Sequence, residues 1–137
     1  MKKNIPEKEQ PKSAWIEHPD YQIQIAPCEQ RIKATFNGES IAESNNVLLV
    51  QEQNHEPVYY FPMDEVRMEF FRPSTKITFC PYKGNASHWS LNIKDRAVEP
   101  AAWCYENPFD EVAKIKGYIA FYPSIVTSSV LAKFSGG

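Results

Sequence analysis

The chain alternates between apolar and polar residues in short stretches, a period of two that is typical of strands with one buried face. The stretch 31–36 (Arg-Ile-Lys-Ala-Thr-Phe) ends at Asn37-Gly38, the dipeptide that best suits a type I′ turn. It predicts a hairpin with 40–44, with Phe36 and Ile41 on the buried side of the sheet. Alternation, or a short apolar run, predicts further strands at 21–25, 47–50, 58–61, 68–71, 76–80, 88–93, 101–105, 117–122 and 129–132.

Helical signals are few and short. One segment has Asn107 in a capping position, Pro108 in the first turn, acids early, lysines late and Gly117 just past the end. It predicts a helix of about two turns. Pro62, followed by two acids, predicts a single helical turn that ends near Val66.

The predicted strands are short, and Pro, Gly and Asn separate them about every eight to twelve residues. This pattern is typical of an all-β sandwich or barrel. We therefore predict a mainly β fold: a small antiparallel two-sheet sandwich or barrel-like domain with one or two short helical turns. The expected organisation is a disordered N-terminal tail at residues 1–13, a single β domain at 14–134 and a flexible C-terminal tail at 135–137. The N-terminal tail is rich in Lys, Glu and Gln, a composition that buries too little apolar surface to become ordered.

Charge and composition narrow the classes of partner. The 137 residues carry a net charge of −2 and have a pI of about 5.9, so nothing predicts nucleic-acid binding. The sequence has no run of about eighteen apolar residues and no signal pattern, so we expect a soluble cytoplasmic protein with no membrane contact. We expect it to be a monomer or a weak homodimer. Cys28, Cys80 and Cys104 are odd in number and far apart, which fits a reducing compartment. Because no Cys-x-x-Cys pair occurs, we expect no metal and no cofactor.

Candidate chemistry is densest at residues 78–93, which contain Cys80, Lys83 and His88 around a Pro/Gly turn. Lys83 would favour the thiolate of Cys80, a potential nucleophile, and would itself bind a phosphate or carboxylate from its turn. These two are the candidate catalytic residues. A buried packing cysteine and an ordinary exposed turn lysine are the simpler alternatives. Strand alternation puts His88 opposite Trp89, on a face that we expect to meet solvent.

Tyrosines and tryptophans form the second candidate feature, because their rings offer flat apolar faces with fixed hydrogen-bonding groups. We predict a rigid cleft with Tyr82 and Trp89 as walls and Lys83 as its charge. The floor would consist of Trp103, Tyr105 and Tyr118. The full predicted ligand-binding set is Tyr60, Arg67, Tyr82, Lys83, Trp89, Trp103, Tyr105 and Tyr118. The alternatives are that these rings belong to the core and that Arg67 forms an ion pair with a neighbouring acid.

Four motifs in order are similar to those of a known family. They are Tyr59-Tyr-Phe-Pro62 with Asp64 and Val66, Cys80-Pro-Tyr-Lys-Gly84 with Ala86 and Trp89-Ser90, Ala102-Trp103 with Tyr105 and Pro108, and Gly117-Tyr-Ile-Ala-Phe-Tyr122. Over about residues 30–130, the chain thereby resembles the family called domain of unknown function 427. The resemblance implies a small mostly β domain similar to the β-tent folds, in which two antiparallel sheets meet at an angle. Several β-tent proteins hold zinc on two cysteine pairs, and this chain has no such pairs.

Members of this family often carry the label nucleotidyltransferase. Here neither a Gly-Ser signature with paired aspartates nor a phosphate-cradling Gly-rich loop is present. We therefore expect a cytoplasmic domain that binds a small polar or anionic molecule in an aromatic-lined cleft. Two alternatives stay open: an enzyme of the transferase class that uses Cys80 or Lys83, and a protein-interaction module with an exposed apolar patch.

Overall fold

The computed structural model of the protein describes residues 10–133 and places ten strands among them. The strands are β1 (Ile23–Pro27), β2 (Gln30–Phe36), β3 (Glu39–Ser44), β4 (Leu48–Glu52), β5 (Val58–Pro62), β6 (Phe71–Cys80), β7 (Gly84–Ile93), β8 (Arg96–Cys104), β9 (Tyr118–Phe121) and β10 (Thr127–Lys133). Short 3₁₀ turns lie at Met63–Glu65, Met68–Phe70 and Asp110–Ile115. Within the described residues, no helix is long and apolar enough to cross a bilayer.

The strands form two antiparallel sheets. The larger sheet has seven strands in the order β1-β4-β5-β9-β8-β7-β6, and the smaller has three in the order β10-β2-β3. The predicted hairpin joins β2 to β3 through Asn37 and Gly38, whose φ angles of 51° and 81° are the positive values that a type I′ turn requires. The prediction of a mainly β, two-sheet antiparallel fold is confirmed, and the sheets stay open rather than closing into a barrel.

One apolar core lies between the two sheets. Phe36 and Ile41 from the small sheet are 3% and 0% exposed, as the hairpin register predicted. Alternate residues of the large sheet complete this core, among them Phe61, Leu91, Ile119 and Phe121. Each fully buried side chain of this size contributes about 1.5–3 kcal/mol, so this layer holds the sheets together.

A second apolar cluster covers the opposite face of the large sheet. It contains Tyr60 from β5, Tyr105 just after β8, Trp15 from the N-terminal segment, and Val112 and Ile115 from the last 3₁₀ turn. The indole N–H of Trp15 donates to the backbone oxygen of Tyr82 over 2.8 Å, which holds the N-terminal segment on the sheet. The central strands of the large sheet are therefore covered on both faces, and this second face carries the candidate site.

Two predicted elements differ from the structure near β6. Residues 68–71 were expected as a strand, but Met68–Phe70 form a 3₁₀ turn in which the Phe70 N–H donates to the Arg67 oxygen over 3.2 Å. The strand that follows runs unbroken from Phe71 to Cys80 through Pro73. Proline is tolerated there because β6 is an edge strand, and the pairing with β7 shifts register just after it.

The predicted two-turn helix is a kinked 3₁₀ segment, Asp110–Ile115, capped by Phe109 instead of Asn107. The Phe109 N–H donates to the backbone oxygen of Lys83 over 3.1 Å. This tertiary hydrogen bond ties the expected first turn of the helix to the β6–β7 turn. Val112 departs from helical geometry, with φ −124° and ψ 29°. Gly117, with φ 86°, ends the segment as predicted.

The predictions for the two tails fall largely on residues 1–9 and 134–137, which lie outside the described part of the chain. Within the predicted N-terminal tail, the side-chain oxygen of Gln10 accepts a hydrogen bond from the Asn85 N–H over 2.6 Å.

Candidate functional site

A buried ion pair joins Lys83 to Glu52 on the second face of the large sheet. The two side chains are only 8% and 12% exposed, and the Lys83 ammonium donates directly to the Glu52 carboxylate. The other carboxylate oxygen accepts a hydrogen bond from the Tyr21 hydroxyl over 2.6 Å. Lys83 comes from the β6–β7 turn, Glu52 from the end of β4 and Tyr21 from the segment before β1. Three distant parts of the chain thus meet in one polar network.

The turn that carries Lys83 depends on Gly84. The hairpin closes between Cys80 and Gly84, and the Lys83 N–H donates to the Cys80 oxygen over 3.2 Å. Gly84 has φ 113°, and a Cβ at this position would lie 3.3 Å from the backbone oxygen of Asn107. Only glycine adopts this conformation at little cost, so Gly84 fixes the direction in which Lys83 leaves the turn.

The Glu52 carboxylate keeps its charge in this network. Burial by itself would raise the pKa of Glu52, but the hydrogen bonds from Lys83 and Tyr21 outweigh it and lower the pKa. Burial, together with the Glu52 carboxylate, raises the pKa of Tyr21, which therefore stays a hydrogen-bond donor. The alternative of an ordinary exposed turn lysine is wrong, because Lys83 is 7% exposed over the whole residue.

The two candidate catalytic residues lie side by side. The Lys83 Nζ is 4.0 Å from the Cys80 Sγ, and Cys80 is half-buried. The hydroxyl oxygen of Tyr60 accepts a hydrogen bond from the indole N–H of Trp103 over 3.2 Å. Burial raises the pKa values of the Tyr60 and Tyr105 phenols. Both phenols are therefore neutral at physiological pH.

An open hollow of about 240 Å³ lies beside the ion pair, and we call it the Lys83 cleft. Its lining residues are Val50, Glu52, His55, Glu56, Val58, Tyr60 and Lys83. The imidazole of His55, at the exposed rim, is 3.7 Å from the Glu52 carboxylate. The cleft therefore combines apolar sides with a wall of paired charges.

A second hollow of about 340 Å³ adjoins this network and is lined by His18, Asp20, Tyr21, Gln53 and Tyr82. The rings of Tyr21 and Tyr82 stack in parallel, with their centroids 3.7 Å apart. The Tyr82 ring thus holds Tyr21 in the position from which its hydroxyl reaches Glu52.

Most of the predicted ligand-binding residues lie on this face of the large sheet. Tyr60 and Lys83 line the Lys83 cleft, and Tyr82 belongs to the adjoining stack. The remaining three, which belong to or pack against the same apolar cluster, are Trp103, Tyr105 and Tyr118. Their roles in binding stay predictions, since position alone does not test them.

Two predicted residues lie elsewhere, so the cleft has a different shape from the expected one. Trp89 packs against the core between the sheets, and its indole N–H donates to the Cys104 sulfur over 3.4 Å. Arg67 lies over the Phe70 ring and pairs with Glu69 at the surface. Trp89 therefore cannot share a wall with Tyr82 and Lys83, because it points to the opposite face of β7.

The expectation that His88 meets solvent is wrong: the residue is 4% exposed. Its Nε2 lies 2.8 Å from the Thr78 hydroxyl and its Nδ1 lies 3.0 Å from the Tyr122 hydroxyl. The reason is that Thr78 and Tyr122 cover the imidazole on this face of β7, whereas Asn92 further along the same face is exposed. Burial lowers the pKa of His88.

Sequence reasoning missed Glu52 and Tyr21. Glu52 lies between the predicted strands 47–50 and 58–61, and Tyr21 belongs to the predicted strand 21–25, so neither was selected as a site residue. A weak signal existed for Glu52, an acid that closely follows the apolar run 47–50. Its pairing with Lys83, which is 31 positions away, has no counterpart in the sequence pattern.

These features define a class: a small two-sheet β domain with an ion-paired cleft on one face of its larger sheet. Comparison with known families assigns the chain to one family within this class. The family model described as domain of unknown function (DUF427) matches residues 24–131, so the chain belongs to this family, as the four motifs predicted. A search of curated proteins found no significant match.

Proposed function

We propose that the protein binds a small polar molecule in the Lys83 cleft. The observation that carries the proposal is the buried Lys83–Glu52 pair, which forms one wall of an open hollow. Burying charged groups is costly, and hydrophobic residues of similar volume usually serve stability as well or better. A buried ion pair at the edge of a cleft is typical of binding sites in which a few fixed polar groups orient a ligand.

The lining of the cleft narrows the ligand class. Glu52 neutralises the charge of Lys83, and Glu56 adds a further acid at the rim, so an anion gains little there. A neutral polar or amine-bearing molecule suits these groups better, and Val50 and Val58 would pack against its apolar part. The volume of about 240 Å³ is below the range of about 300–1,000 Å³ for drug-sized ligands, so the molecule is small.

A binding screen with matched variants tests this proposal. The probes are a panel of small amides, polyols, amines and amino acids, with inorganic phosphate as the anionic comparison. Binding is read from chemical shift changes of backbone amides in nuclear magnetic resonance spectra. We expect an amine or a neutral probe to shift the amides of Glu52, His55 and Lys83, and phosphate to leave them unchanged.

The double variant Glu52→Leu with Lys83→Met removes the polar wall as a pair and should abolish these shifts. Arg31→Met, which breaks an exposed ion pair on the small sheet, is the control and should bind as the wild type does. If the double variant binds the same probe with unchanged affinity, the Lys83 cleft is not the site.

The setting of this function is also part of the proposal. Cys28, Cys80 and Cys104 are all free thiols in the structure, which supports a reducing compartment such as the cytoplasm. The net charge of −2 supports a small molecule, not nucleic acid, as the partner. We propose that the protein acts as a monomer or weak homodimer, which sedimentation at increasing concentration would test.

A second candidate function is covalent chemistry of the transferase class at Cys80. The 4.0 Å distance between Lys83 Nζ and Cys80 Sγ favours it, because it places a hydrogen-bond donor beside a half-buried sulfur nucleophile. Iodoacetamide labelling near pH 7 separates this candidate from simple binding: rapid labelling of Cys80 supports it, and labelling no faster than that of Cys28 removes it. A higher melting temperature with a nucleoside triphosphate and Mg²⁺ would support nucleotidyl transfer.

The third alternative, an interaction module, has less support from the described surface. Its exposed large apolar side chains are distributed over three segments: Ile16, Ile77, and the pair Val130 and Leu131. Residues exposed singly in this way are common on soluble domains.

A further inference from the structure

A second group of reactive side chains lies away from the Lys83 cleft: Thr78 on β6, His88 on β7, and Tyr122 just after β9. The Thr78 Oγ1 is 2.8 Å from the His88 Nε2, and the Tyr122 Oη is 3.0 Å from the His88 Nδ1. Thr78 is exposed, whereas His88 is buried beneath it. The exposed hydroxyl is therefore bonded to a base that is held from behind.

One neutral tautomer of His88 makes this arrangement a proton relay. With the proton on Nδ1, the imidazole donates to the Tyr122 oxygen and leaves the Nε2 lone pair to accept the Thr78 hydroxyl proton. A nucleophile bonded to a base, which is oriented by a third group, is the arrangement that activates hydroxyl nucleophiles in unrelated folds. Tyr122 has the role of the orienting residue here.

The backbone around His88 is irregular on both sides. The β6–β7 pairing shifts register between Pro73 and Ile77, and the β7–β8 pairing shifts between Trp89 and Leu91. Such bulges redirect side chains and occur often beside active sites. They are an independent observation that the sheet is locally reshaped around this histidine.

A cation lies near the relay. Lys76 is two residues before Thr78 on β6, and its charge acts on the His88 imidazole. Burial first, and then the charge of Lys76, lower the pKa of His88, which therefore stays neutral and able to accept a proton near pH 7. An ammonium in this position would stabilise negative charge that develops on a substrate oxygen.

We propose that Thr78, His88 and Tyr122 form an acyl-transfer site, with small carboxylic esters as the substrate class. Thr78 Oγ1 attacks the carbonyl carbon of the ester while its proton passes to His88 Nε2. The carbon–oxygen bond to the alcohol breaks, and His88 returns the proton to the leaving oxygen. Water then attacks the acyl-threonine, gives a proton to His88 and releases the acid, and the Thr78 oxygen recovers that proton. Oxidation states do not change, and no co-reactant besides water is needed.

Hydrolysis of p-nitrophenyl acetate by the full chain tests the proposal. We expect Thr78→Val to lower kcat/KM by about 10²-fold or more, the usual size of a lost base-assisted attack. Thr78→Ser keeps the hydroxyl and should stay within about tenfold of the wild type. Thr75→Val, which removes an exposed threonine on the same strand, is the control that should not change the rate.

The position of the acyl group is the second readout. Mass spectrometry of the acid-quenched reaction should find one acetyl group on Thr78 in the wild type and on the serine of the Thr78→Ser variant. Acetylation of Lys76 alone, or a rate that Thr78→Val leaves equal to that of Thr75→Val, overturns the proposal. Circular dichroism and thermal unfolding confirm that each variant is folded before its rate is compared.

Tyr122 is a positioning residue, so its test needs a readout that a packing defect does not move. The charged and titratable groups that act on His88 are Lys76 on β6 and Tyr122 after β9. Tyr122→Phe removes the acceptor that favours the protonated imidazole. We expect a lower kcat at unchanged KM, and a rate inflection at lower pH than in the wild type. An unmoved inflection contradicts this role for Tyr122.

Discussion

Removing one partner of the Lys83–Glu52 pair should destabilise the fold strongly. In Lys83→Met the Glu52 carboxylate, only 12% exposed, loses the ammonium that compensates its burial. Breaking a buried pair in this way costs about 3–5 kcal/mol, against a total stability of about 5–15 kcal/mol for a domain. We therefore expect Lys83→Met to lose a large fraction of the stability, and Tyr21 alone to compensate little of it.

Removing both partners should cost far less. Replacing a buried ion pair with apolar residues of similar volume is often neutral or stabilising, so Glu52→Leu with Lys83→Met should unfold within about 2 kcal/mol of the wild type. The contrast between the single and double variants separates the penalty of an unpaired charge from the loss of packing. It also shows whether the double variant is folded, as its use in the binding experiment requires.

Urea unfolding, followed by tryptophan fluorescence, measures these free energies. Arg31→Met is the matched control, because its ion pair with Glu43 is 38% and 37% exposed and should contribute under about 1 kcal/mol. A loss of less than about 1 kcal/mol in Lys83→Met, or a double variant as unstable as the single one, would refute the assignment of a buried compensated charge.

Three further predictions concern residues of the large sheet. Gly84→Ala should lose about 1–3 kcal/mol in the same unfolding assay, because φ 113° is strained for any other residue and the new Cβ would lie 3.3 Å from the Asn107 oxygen. The pKa of Glu52 is lowered in the folded state, so its stabilisation is complete above its unfolded pKa of about 4.3 and is lost as pH falls through the folded value. A titration of stability from pH 7 to pH 3 should show this loss in the wild type and not in Glu52→Leu with Lys83→Met. Burial raises the pKa of the Cys104 thiol, so Cys104 should react with a disulfide reagent near pH 7 later than Cys80, and equal rates would contradict this.

The strands were predictable where the signal was local. Alternation and the Asn37-Gly38 turn specify the β2–β3 hairpin from adjacent residues, and the structure has that hairpin with the predicted residues buried. Prediction failed where a tertiary bond competes with local preference. The segment after Asn107 has the capping pattern of an α-helix, but its backbone bonds to the Lys83 turn and it folds as a kinked 3₁₀ segment.

The candidate site was predictable only in part. Cys80 and Lys83 were selected because they are close in the chain, and the structure places them side by side. Glu52, which neutralises Lys83, was missed because the pair is formed by packing and not by spacing. Trp89 was placed in the wrong wall because its face of β7 could be assigned only once the covering layer on each side was known.

The sequence by itself determined the fold class, the family and the Cys80–Gly84 turn, because alternation, turn chemistry and motifs are properties of neighbouring residues. Only the tertiary structure decided what the turn faces. Strand order brings β4 and the N-terminal segment to the same face of the large sheet as Lys83, and the second covering layer buries them there. Lys83 is therefore paired with Glu52, because both groups are removed from water and each buried charge needs a partner of opposite sign.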